Sequence, residues 1–210
     1  EKIESGELLG WDDPSLTTLQ ALKRRGFNPT AIKNFVLSTG MSKAGGTMTW
    51  DDLYAKNRSL LDPKARRYFF VENPKKITIK NAPSKKVELP LHPQQKIGFR
   101  KMLSSTEFYV EDNVKKGIFR FMHLFNFKDL TYHSDPYDAK LKAKLVHWLP
   151  TSEDLVNIEV LMPDKTLKSG LGEPTLKTLK EGAVVQFERK FFARFDRKEK
   201  DVYVFYFTHT

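Results

Sequence analysis

The sequence predicts a mainly β protein in which a small all-α helical domain precedes two antiparallel β-barrels. Two observations carry this prediction. Helical periodicity is confined to the first third of the chain, and beyond Ala65 short apolar runs alternate with polar residues between clusters of Pro, Gly, Asn and Asp. Many short strands favour barrels, because closing a sheet removes its exposed edges. With 210 residues and 40% hydrophobic content, the chain is long enough to bury a core.

Three short helices are predicted, over residues 14–26, 28–40 and 49–63. The first starts at Pro14 and ends at a left-handed Gly26, the second starts at Asn28, and the third is capped by Thr49. In the first helix Leu16, Leu19 and Leu22 recur on one face, and in the second Ile32, Phe35 and Val36 form the predicted buried face. The third runs through the apolar residues Trp50, Leu53, Tyr54, Leu60 and Leu61.

About nine runs have the composition of strands, because β-branched and aromatic residues dominate them. These runs are RYFFVE, KKITIK, KKVELPL, EFYVED, GIFRFMHLF, KLKAKLVHWL, LVNIEVLM, AVVQFERKFFARFD and DVYVFYFTHT. Aromatic residues interleave with Arg and Lys in several of them. We expect about two thirds of the rings to fill the barrels, and the intervening Arg and Lys to face outward, where they can contact phosphates or bases.

The charge of the chain favours a polyanionic partner. The sequence holds 36 basic and 26 acidic residues, a formal net charge of +10. Residues 72–150 contribute most of this excess, with 15 basic against 8 acidic side chains. Such an excess is typical of proteins that bind nucleic acid or anionic membranes. A solvated lysine-rich surface that protects strand edges explains the same pattern equally well at this point.

Catalytic and metal-binding patterns are not found in the sequence. There is no cysteine, and the five histidines have no metal-ligand spacing, so no metal site is predicted. No nucleophile elbow and no Gly-rich phosphate loop occur. The given residues contain no signal-peptide pattern and no apolar run long enough to span a bilayer, and we expect a cytoplasmic protein.

A series of collinear motifs resembles the class I glutamyl- and glutaminyl-tRNA synthetase family. The motifs are GWDDP (10–14), LKRRG (22–26), NPTAIKNFVLSTGMSK (28–43), DPKARRYFFV (62–71), LPLHPQQKIGFR (89–100), EDNVKKGIFRFMHLFNF (111–127), KLVHWLP (144–150) and GAVVQFERKFFARFD (182–196). The RYFFV form is similar to that of the archaeal-type glutamyl enzymes. In the family, GWDDP follows the nucleotide-binding domain, so the resemblance implies a C-terminal fragment that lacks this domain.

The resemblance implies a domain order as well as a family. It implies a helical stem-contact domain over 1–71, a proximal β-barrel over 72–105 and 151–210, and a distal β-barrel over 106–150 inserted into it. The parent reaction is the ATP-dependent attachment of glutamate to tRNA, with ATP and Mg²⁺ bound in the missing domain. The fragment itself is then non-catalytic and has no cofactor. Met41, Ser42 and Lys43 resemble part of the KMSKS loop, but they follow GWDDP, and we interpret them as an ordinary loop.

The family's functional residues carry over unevenly. The resemblance implies anticodon contacts by Arg67, Gln186, Arg189 and Arg120, and phosphate or stem contacts by Lys115, Lys116, Lys23, Arg24 and Arg25. Met122 stands where the glutaminyl pattern has a second base-contacting arginine, and this departure favours a glutamyl enzyme. For the basic trio at 23–25, neutralisation of a helix C-terminus is an equally good explanation.

The expected partner is a tRNA that accepts glutamate, either alone or together with glutamine tRNA, and neither DNA nor a membrane. Three alternatives remain at this point. They are a general structured-RNA-binding barrel protein such as a ribosomal protein, a protein-interaction scaffold, and the corresponding part of a glutaminyl enzyme. An independent enzyme is disfavoured because no catalytic constellation is found. The order of the motifs favours the glutamyl family over the others.

Overall fold

The computed structural model describes residues 3–40, 47–111 and 114–210. It is mainly β, with 38% of the residues in strands and 18% in helices, and one of its sheets is a nearly closed barrel. The predicted fold class is therefore confirmed. The loop predicted at Met41, Ser42 and Lys43 lies outside the described residues, as do Asp112 and Asn113 of the EDNVKKG motif. Within the described ranges, no helix is long and apolar enough to cross a membrane.

The three predicted helices are present, with the bounds α1 (Leu19–Arg25), α2 (Pro29–Ser38) and α3 (Trp50–Leu61). The caps predicted at Asn28 and Thr49 are confirmed. The Asn28 side chain accepts a hydrogen bond from Thr30 N at 2.9 Å, and Thr49 N donates to the Asp52 carboxylate at 2.8 Å. Each bond satisfies a main-chain N–H that has no main-chain acceptor in the helix, so these two helix starts depend on neighbouring residues in the sequence.

Helix α1 begins later than predicted, because the preceding residues have a competing local structure. The Asp13 carboxylate accepts hydrogen bonds from Leu9 N at 3.0 Å and Ser15 N at 2.9 Å, which holds a turn before the helix. The N-cap is Thr18 rather than a residue near Pro14. Leu19, on the apolar face of the first helix, is 68% exposed. Val36 of α2 was predicted to be buried and is exposed, so that prediction was wrong.

Sixteen strands are found in the described residues. Their bounds are β1 (Arg66–Tyr68), β2 (Phe70–Glu72), β3 (Lys75–Thr78), β4 (Lys85–Pro90), β5 (Phe99–Ser104), β6 (Glu107–Val110), β7 (Ile118–Phe121), β8 (Asn126–Lys128), β9 (Thr131–Ser134), β10 (Lys144–Val146), β11 (Leu149–Pro150), β12 (Val156–Leu161), β13 (Leu167–Gly172), β14 (Val184–Phe187), β15 (Phe191–Glu199) and β16 (Val202–His209). Short 3₁₀ helices occur at Ala139–Leu141 and Pro174–Thr178.

The strands β5, β8, β9 and β13 lie outside the predicted runs. In β5 the usual alternation is inverted, since Arg100 is buried and Phe99 is 60% exposed. Arg100 is able to point inward because its Nη1 donates to the buried Glu173 carboxylate at 2.6 Å, and the same carboxylate accepts the Phe69 N–H. A binary apolar pattern cannot show such a pair. One further difference is that β7 and β10 pair in parallel, whereas antiparallel pairing was predicted.

The chain divides into two compact units, described here separately. The first unit contains residues 1–67, 159–168 and 179–210, and the second contains residues 68–158 and 169–178. In the first unit, the strands β1, β14, β15 and β16 are consecutive neighbours in a sheet. The end of α1 packs on these strands. Leu22, Phe27 and Leu53 form a small core among the helices, and Leu61, Ala65 and Phe192 form another between α3 and the sheet.

The second unit is organised around aromatic side chains. Its strands form sheets in the orders β10-β7-β8-β9, β11-β6-β3 and β4-β5. Phe108, Phe121, Phe125, Phe127 and Trp148 pack edge to face or tilted in one core. Across both units, fourteen of the sixteen Phe rings, three of the seven Tyr rings and one of the three Trp rings are buried. The prediction that about two thirds of the rings are internal is therefore confirmed.

Gly26 joins α1 to the sheet of the first unit, and we predict that Gly26→Ala destabilises this unit by about 2 to 4 kcal/mol. Gly26 is left-handed, with φ 93°, and a Cβ there would lie 2.8 Å from Val184 Cγ2 and 3.1 Å from Arg194 Cβ. The measurement is urea unfolding of the parent chain, of Gly26→Ala and of the control variant Gly182→Ala.

The matched control is Gly182→Ala. Gly182 has a similar φ of 87°, but its Cβ would meet only the far end of the Arg194 side chain, whose nearest atom, Nη2, lies at 3.3 Å. We expect it to lose only about 1 kcal/mol, from backbone strain. Equal losses in the two variants would contradict close packing at Gly26.

Candidate nucleic-acid interface

Arg67 and Gln186 lie on neighbouring strands although 118 residues separate them in the sequence. Arg67 is in β1 and Gln186 is in β14, and these two strands are adjacent in the sheet of the first unit. Both side chains are half-buried, and Val185 and Phe187 on either side of Gln186 are buried. The alternation of β14 therefore turns the amide of Gln186 away from the side of the strand on which its buried neighbours lie.

The guanidinium of Arg67 is held at one end only. Its Nη2 donates to Asp62 Oδ1 at 3.0 Å, and its side chain keeps 24% of its surface exposed. Its Nε is buried and has no hydrogen-bond partner in the described parts of the chain, so the donors left for a ligand are on the terminal nitrogens. Because a guanidinium carries five N–H donors in a fixed plane, Asp62 orients Arg67 and leaves further donors for a ligand.

Arg189 lies at the tip of the hairpin that joins β14 to β15. Phe187 and Phe191 are paired across this hairpin, and Lys190 N donates to Phe187 O at 2.9 Å to close the turn. Arg189 has a left-handed backbone, with φ 60°, and an exposed side chain. A residue with a Cβ rarely adopts this conformation, since it costs about 1 kcal/mol. The fold alone would favour glycine or asparagine at this turn.

The remaining base-contact candidate, Arg120, belongs to the second unit. It lies in β7, where its Nη1 donates to Asn126 Oδ1 and to the carbonyl of Asp135, both at 3.0 Å. Its guanidinium carbon is 5.8 Å from the centre of the Tyr137 ring. Lys115 and Lys116 are exposed in the segment that precedes β7. Six candidates thus fall into two groups, with Arg67, Gln186 and Arg189 in the first unit and Arg120, Lys115 and Lys116 in the second. Lys23 also lies in the first unit.

Met122 is part of the core of the second unit. Its side chain is buried, its carbonyl accepts a hydrogen bond from Trp148 Nε1 at 2.9 Å, and its N–H donates to Val146 at 3.1 Å. The position at which the glutaminyl pattern has an arginine is thus filled here by an apolar side chain that packs inside the protein. An arginine at this position would need a different local packing.

The basic trio at the end of α1 contains three different environments. Lys23 is exposed, whereas Arg24 forms ion pairs with Asp12 at 2.9 Å and with Asp196 at 3.2 Å. Arg25 is 2% exposed, and it donates to the carbonyls of Phe207 at 3.0 Å and Thr208 at 2.9 Å. Burial lowers the pKa of Arg25. Among these three, only Lys23 has an exposed side chain.

Asp196 organises the charges around Arg24. Burial by itself would raise the pKa of Asp196, but hydrogen bonds and charges from Arg24, Arg197 and Arg194 outweigh burial and lower this pKa below its usual range. Arg24 also lies 4.8 Å from the centre of the Tyr206 ring. Three carboxylates, those of Asp12, Asp196 and Glu199, pair with the three arginines. This cluster therefore adds little net charge to the field that a polyanion would experience.

No group of three or more His, Asp or Glu side chains that could hold a metal is found in the described ranges. The arrangement of side chains suits recognition instead. Guanidinium and amide groups on the sheet of the first unit can donate to base edges, and exposed lysines can contact phosphates.

Two family models with the description "tRNA synthetases class I (E and Q), anti-codon binding domain" match residues 65–145 and 145–196. The chain belongs to this family. The first matched range of this class I synthetase chain contains Arg67, Lys115, Lys116 and Arg120. The second contains Gln186 and Arg189. The basic trio at 23–25 precedes both ranges.

The chain is also similar over its full length to archaeal glutamate-tRNA ligases. It is 40% identical to the protein of Methanobrevibacter smithii over 219 residues, 39% identical to that of Methanocaldococcus jannaschii over 220 residues, and 38% identical to that of Pyrococcus furiosus over 228 residues. These matches cover 99–100% of this chain but only 39–40% of the length of each relative. This class I synthetase chain thus spans about two fifths of the curated relatives it matches.

Two residues beside Arg120 were not predicted from the sequence to belong to the site. Asn126 is buried and ties Arg120 to the loop after β9, and Tyr137 exposes its ring at the end of that loop. The Ser-Asp-Pro-Tyr-Asp segment at 134–138 has turn-forming residues around an aromatic residue outside any strand, and this composition could have indicated an exposed ring.

Arg25 and Lys23 should separate a structural role from an RNA-binding role. We predict that Arg25→Ala lowers the free energy of unfolding by roughly 2 to 4 kcal/mol, because two buried carbonyls lose a charged donor. Lys23→Ala should change this free energy by less than about 0.5 kcal/mol but reduce the salt slope of tRNA binding by about one. Urea unfolding and binding at several salt concentrations measure both effects. A stable Arg25→Ala variant with weakened RNA binding would contradict this assignment.

Proposed function

We propose that this chain recognises the anticodon of a glutamate-accepting tRNA, as the RNA-recognition part of a glutamate-tRNA ligase. The observation that carries the proposal is the adjacency of β1 and β14, which places Arg67 and Gln186 on neighbouring strands inside the ranges of the anticodon-binding family models. Arg189 at the end of β14 extends the same group of side chains. Three polar groups in one part of a sheet suit the splayed bases of an anticodon loop.

Each of these side chains has a distinct role in the proposal. Arg67 is oriented by Asp62 and donates its remaining N–H groups to a base edge, and it can stack its guanidinium plane on a second base. Gln186 offers both a donor and an acceptor, so its amide can match a Watson–Crick edge. Arg189 presents a flexible cation at the tip of the hairpin, where it can contact a base or the adjacent phosphate.

The second unit contributes the electrostatic part of binding. Lys115 and Lys116 track the RNA backbone in this proposal, and Lys23 contacts the stem from the first unit. Arg120 contributes a further base contact in the distal barrel. We propose the domain limits given above for these roles, namely a stem-contact part over 1–71, a distal barrel over 106–150 and a proximal barrel over 72–105 and 151–210.

The reaction of the parent protein takes place outside the residues present here. Glutamate-tRNA ligases join glutamate to tRNA at the expense of ATP, and we propose that ATP, Mg²⁺ and glutamate bind in the part of the relatives that this chain does not span. The chain itself contributes specificity in the cytoplasm, where tRNA is charged. Met122 favours the glutamyl over the glutaminyl assignment, because its buried side chain cannot contact a base.

The test is fluorescence anisotropy of the 210-residue chain with three RNA hairpins at two salt concentrations. The hairpins are the glutamate-tRNA anticodon stem-loop, the same stem-loop with changed anticodon bases, and an unrelated stem-loop. The proposal expects tight binding to the first, weakened binding to the second and third, and a salt slope equivalent to a few phosphates. Equal binding to all three would instead indicate a general RNA-binding surface and overturn the assignment of Arg67, Gln186 and Arg189.

Arg189→Gly removes a proposed base contact and relieves a strained backbone in the same step. We predict that the free energy of unfolding stays within about 1 kcal/mol of the parent value, since glycine suits φ 60° but gains entropy in the unfolded chain. Affinity for the native stem-loop should nevertheless fall by roughly 1 to 3 kcal/mol. Anisotropy and urea unfolding on the same preparation measure the two quantities.

Lys200→Gly is the matched control for Arg189→Gly. Lys200 is also an exposed cation with a left-handed backbone, φ 53°, but it lies in the turn at the opposite end of β15. Its replacement removes the same charge and relieves similar strain. We expect little change in affinity. Similar losses of affinity in both variants would show that Arg189 acts only through its charge.

A further inference from the structure

Tyr137 has the most exposed ring among the aromatic residues in the described parts of the chain, with 72% of its side chain accessible. It follows β9 and precedes the 3₁₀ helix Ala139–Leu141, in the second unit. Most aromatic rings of this protein fill its cores, so a ring left in solvent calls for a physical explanation.

The loop that carries Tyr137 is held by a buried amide. Asn126 is buried, and its Nδ2 donates to Ser134 Oγ at 2.9 Å and to the carbonyl of Pro136 at 2.7 Å. Its Oδ1 accepts from Arg120 Nη1, and the same Nη1 donates to the carbonyl of Asp135. The three residues before Tyr137 are thus hydrogen-bonded to side chains of β7 and β8. A ring on a fixed loop loses little conformational freedom when it binds a ligand.

An ion pair further restrains the loop. Lys85 Nζ lies 2.5 Å from Asp135 Oδ2. The hydrogen bond from Lys85 lowers the pKa of Asp135 below its usual range, so the carboxylate stays charged near neutral pH. The loop before Tyr137 is therefore bonded both through its main chain and through a side chain.

Arg120 supplies a cation beside the exposed ring. Its guanidinium carbon is 5.8 Å from the ring centre, within the range of cation–π attraction, while Asn126 and Asp135 fix its position. A flat ring next to an oriented guanidinium is the arrangement that stacks an unpaired nucleobase and neutralises its phosphate. Phe99, the other exposed aromatic residue of the second unit, has no cation stacked over it in the described residues.

We infer that Tyr137 and Arg120 form a stacking site for one unpaired nucleobase of the RNA that the second unit binds. The inference rests on the proposed function, since it requires that a tRNA loop approaches this unit. Stacking on Tyr137 tolerates any base, because every base has a π-face. Tyr137 therefore contributes affinity and loop geometry, whereas the polar groups of the first unit select the base.

The test combines protein variants with abasic RNA hairpins. The base of each loop nucleotide is removed in turn, and binding to the parent chain, Tyr137→Ala, Tyr137→Phe and Phe99→Ala is measured by anisotropy. We expect Tyr137→Ala to lose about 5- to 100-fold in affinity for the intact native stem-loop, and Tyr137→Phe to stay within about twofold of the parent chain. Tyr137 is exposed, so the thermal midpoint of unfolding should not change.

A double-mutant cycle then identifies the stacked base. At one loop position, removal of the base should weaken binding to the parent chain but should not further weaken binding to Tyr137→Ala. For Phe99→Ala, the loss of affinity from the substitution and the loss from base removal should add. Additive losses of affinity at every loop position, or equal losses of affinity in Tyr137→Ala and Phe99→Ala, would overturn the stacking site. The proposed function would still stand if the parent chain bound the native stem-loop selectively. Failure of the parent chain to prefer the native stem-loop would overturn the proposed function, and no position-specific coupling to Tyr137 would then remain.

Discussion

The hydrogen bonds from Arg25 to the carbonyls of Phe207 and Thr208 connect the end of α1 to the last strand of the chain. Thr208 returns a bond from its hydroxyl to the carbonyl of Arg25, and Gly26 removes the side chain that would separate the two segments. The helices and the strands β14 to β16 lie in one compact unit. Because β14 is held against β15, and β15 against β16, the placement of Gln186 and Arg189 depends on this connection. A buried guanidinium in a structural role is stable here because main-chain acceptors surround it.

Local features of the fold could be predicted from the sequence, and non-local features could not. The caps at Asn28 and Thr49 act over two or three residues, so their sequence patterns suffice. The predicted start of α1 was wrong because the turn held by Asp13 competes with the helix. Strand β5 was not predicted because its Arg100 points inward toward Glu173, 73 residues away in the sequence. In both cases a polar side chain has a partner that composition and periodicity do not reveal.

The candidate site divides in the same way. The resemblance to a family supplied the identities of Arg67 and Gln186, but their adjacency follows from the order of strands in the sheet, which places β1 beside β14. The same three-residue basic motif at 23–25 contains an exposed lysine, a paired arginine and a buried arginine. Sequence alone could not separate these roles, since only the fold decides which helix face meets the sheet. Asn126 and Tyr137 were missed because their importance lies in a loop held by long-range bonds.

The central claim is that the anticodon bases contact the neighbouring strands β1 and β14 and the hairpin after β14. Photo-crosslinking tests this claim most directly. The glutamate-tRNA stem-loop would carry 4-thiouridine at each anticodon position in turn, and the crosslinked peptides would be identified by mass spectrometry. If the anticodon bases bind as proposed, at least one anticodon position crosslinks to residues 66–68 or 184–191. An excess of unlabelled native hairpin should abolish these crosslinks, whereas an excess of the unrelated hairpin should not. Crosslinks confined to other segments, or competed equally by both hairpins, would contradict it.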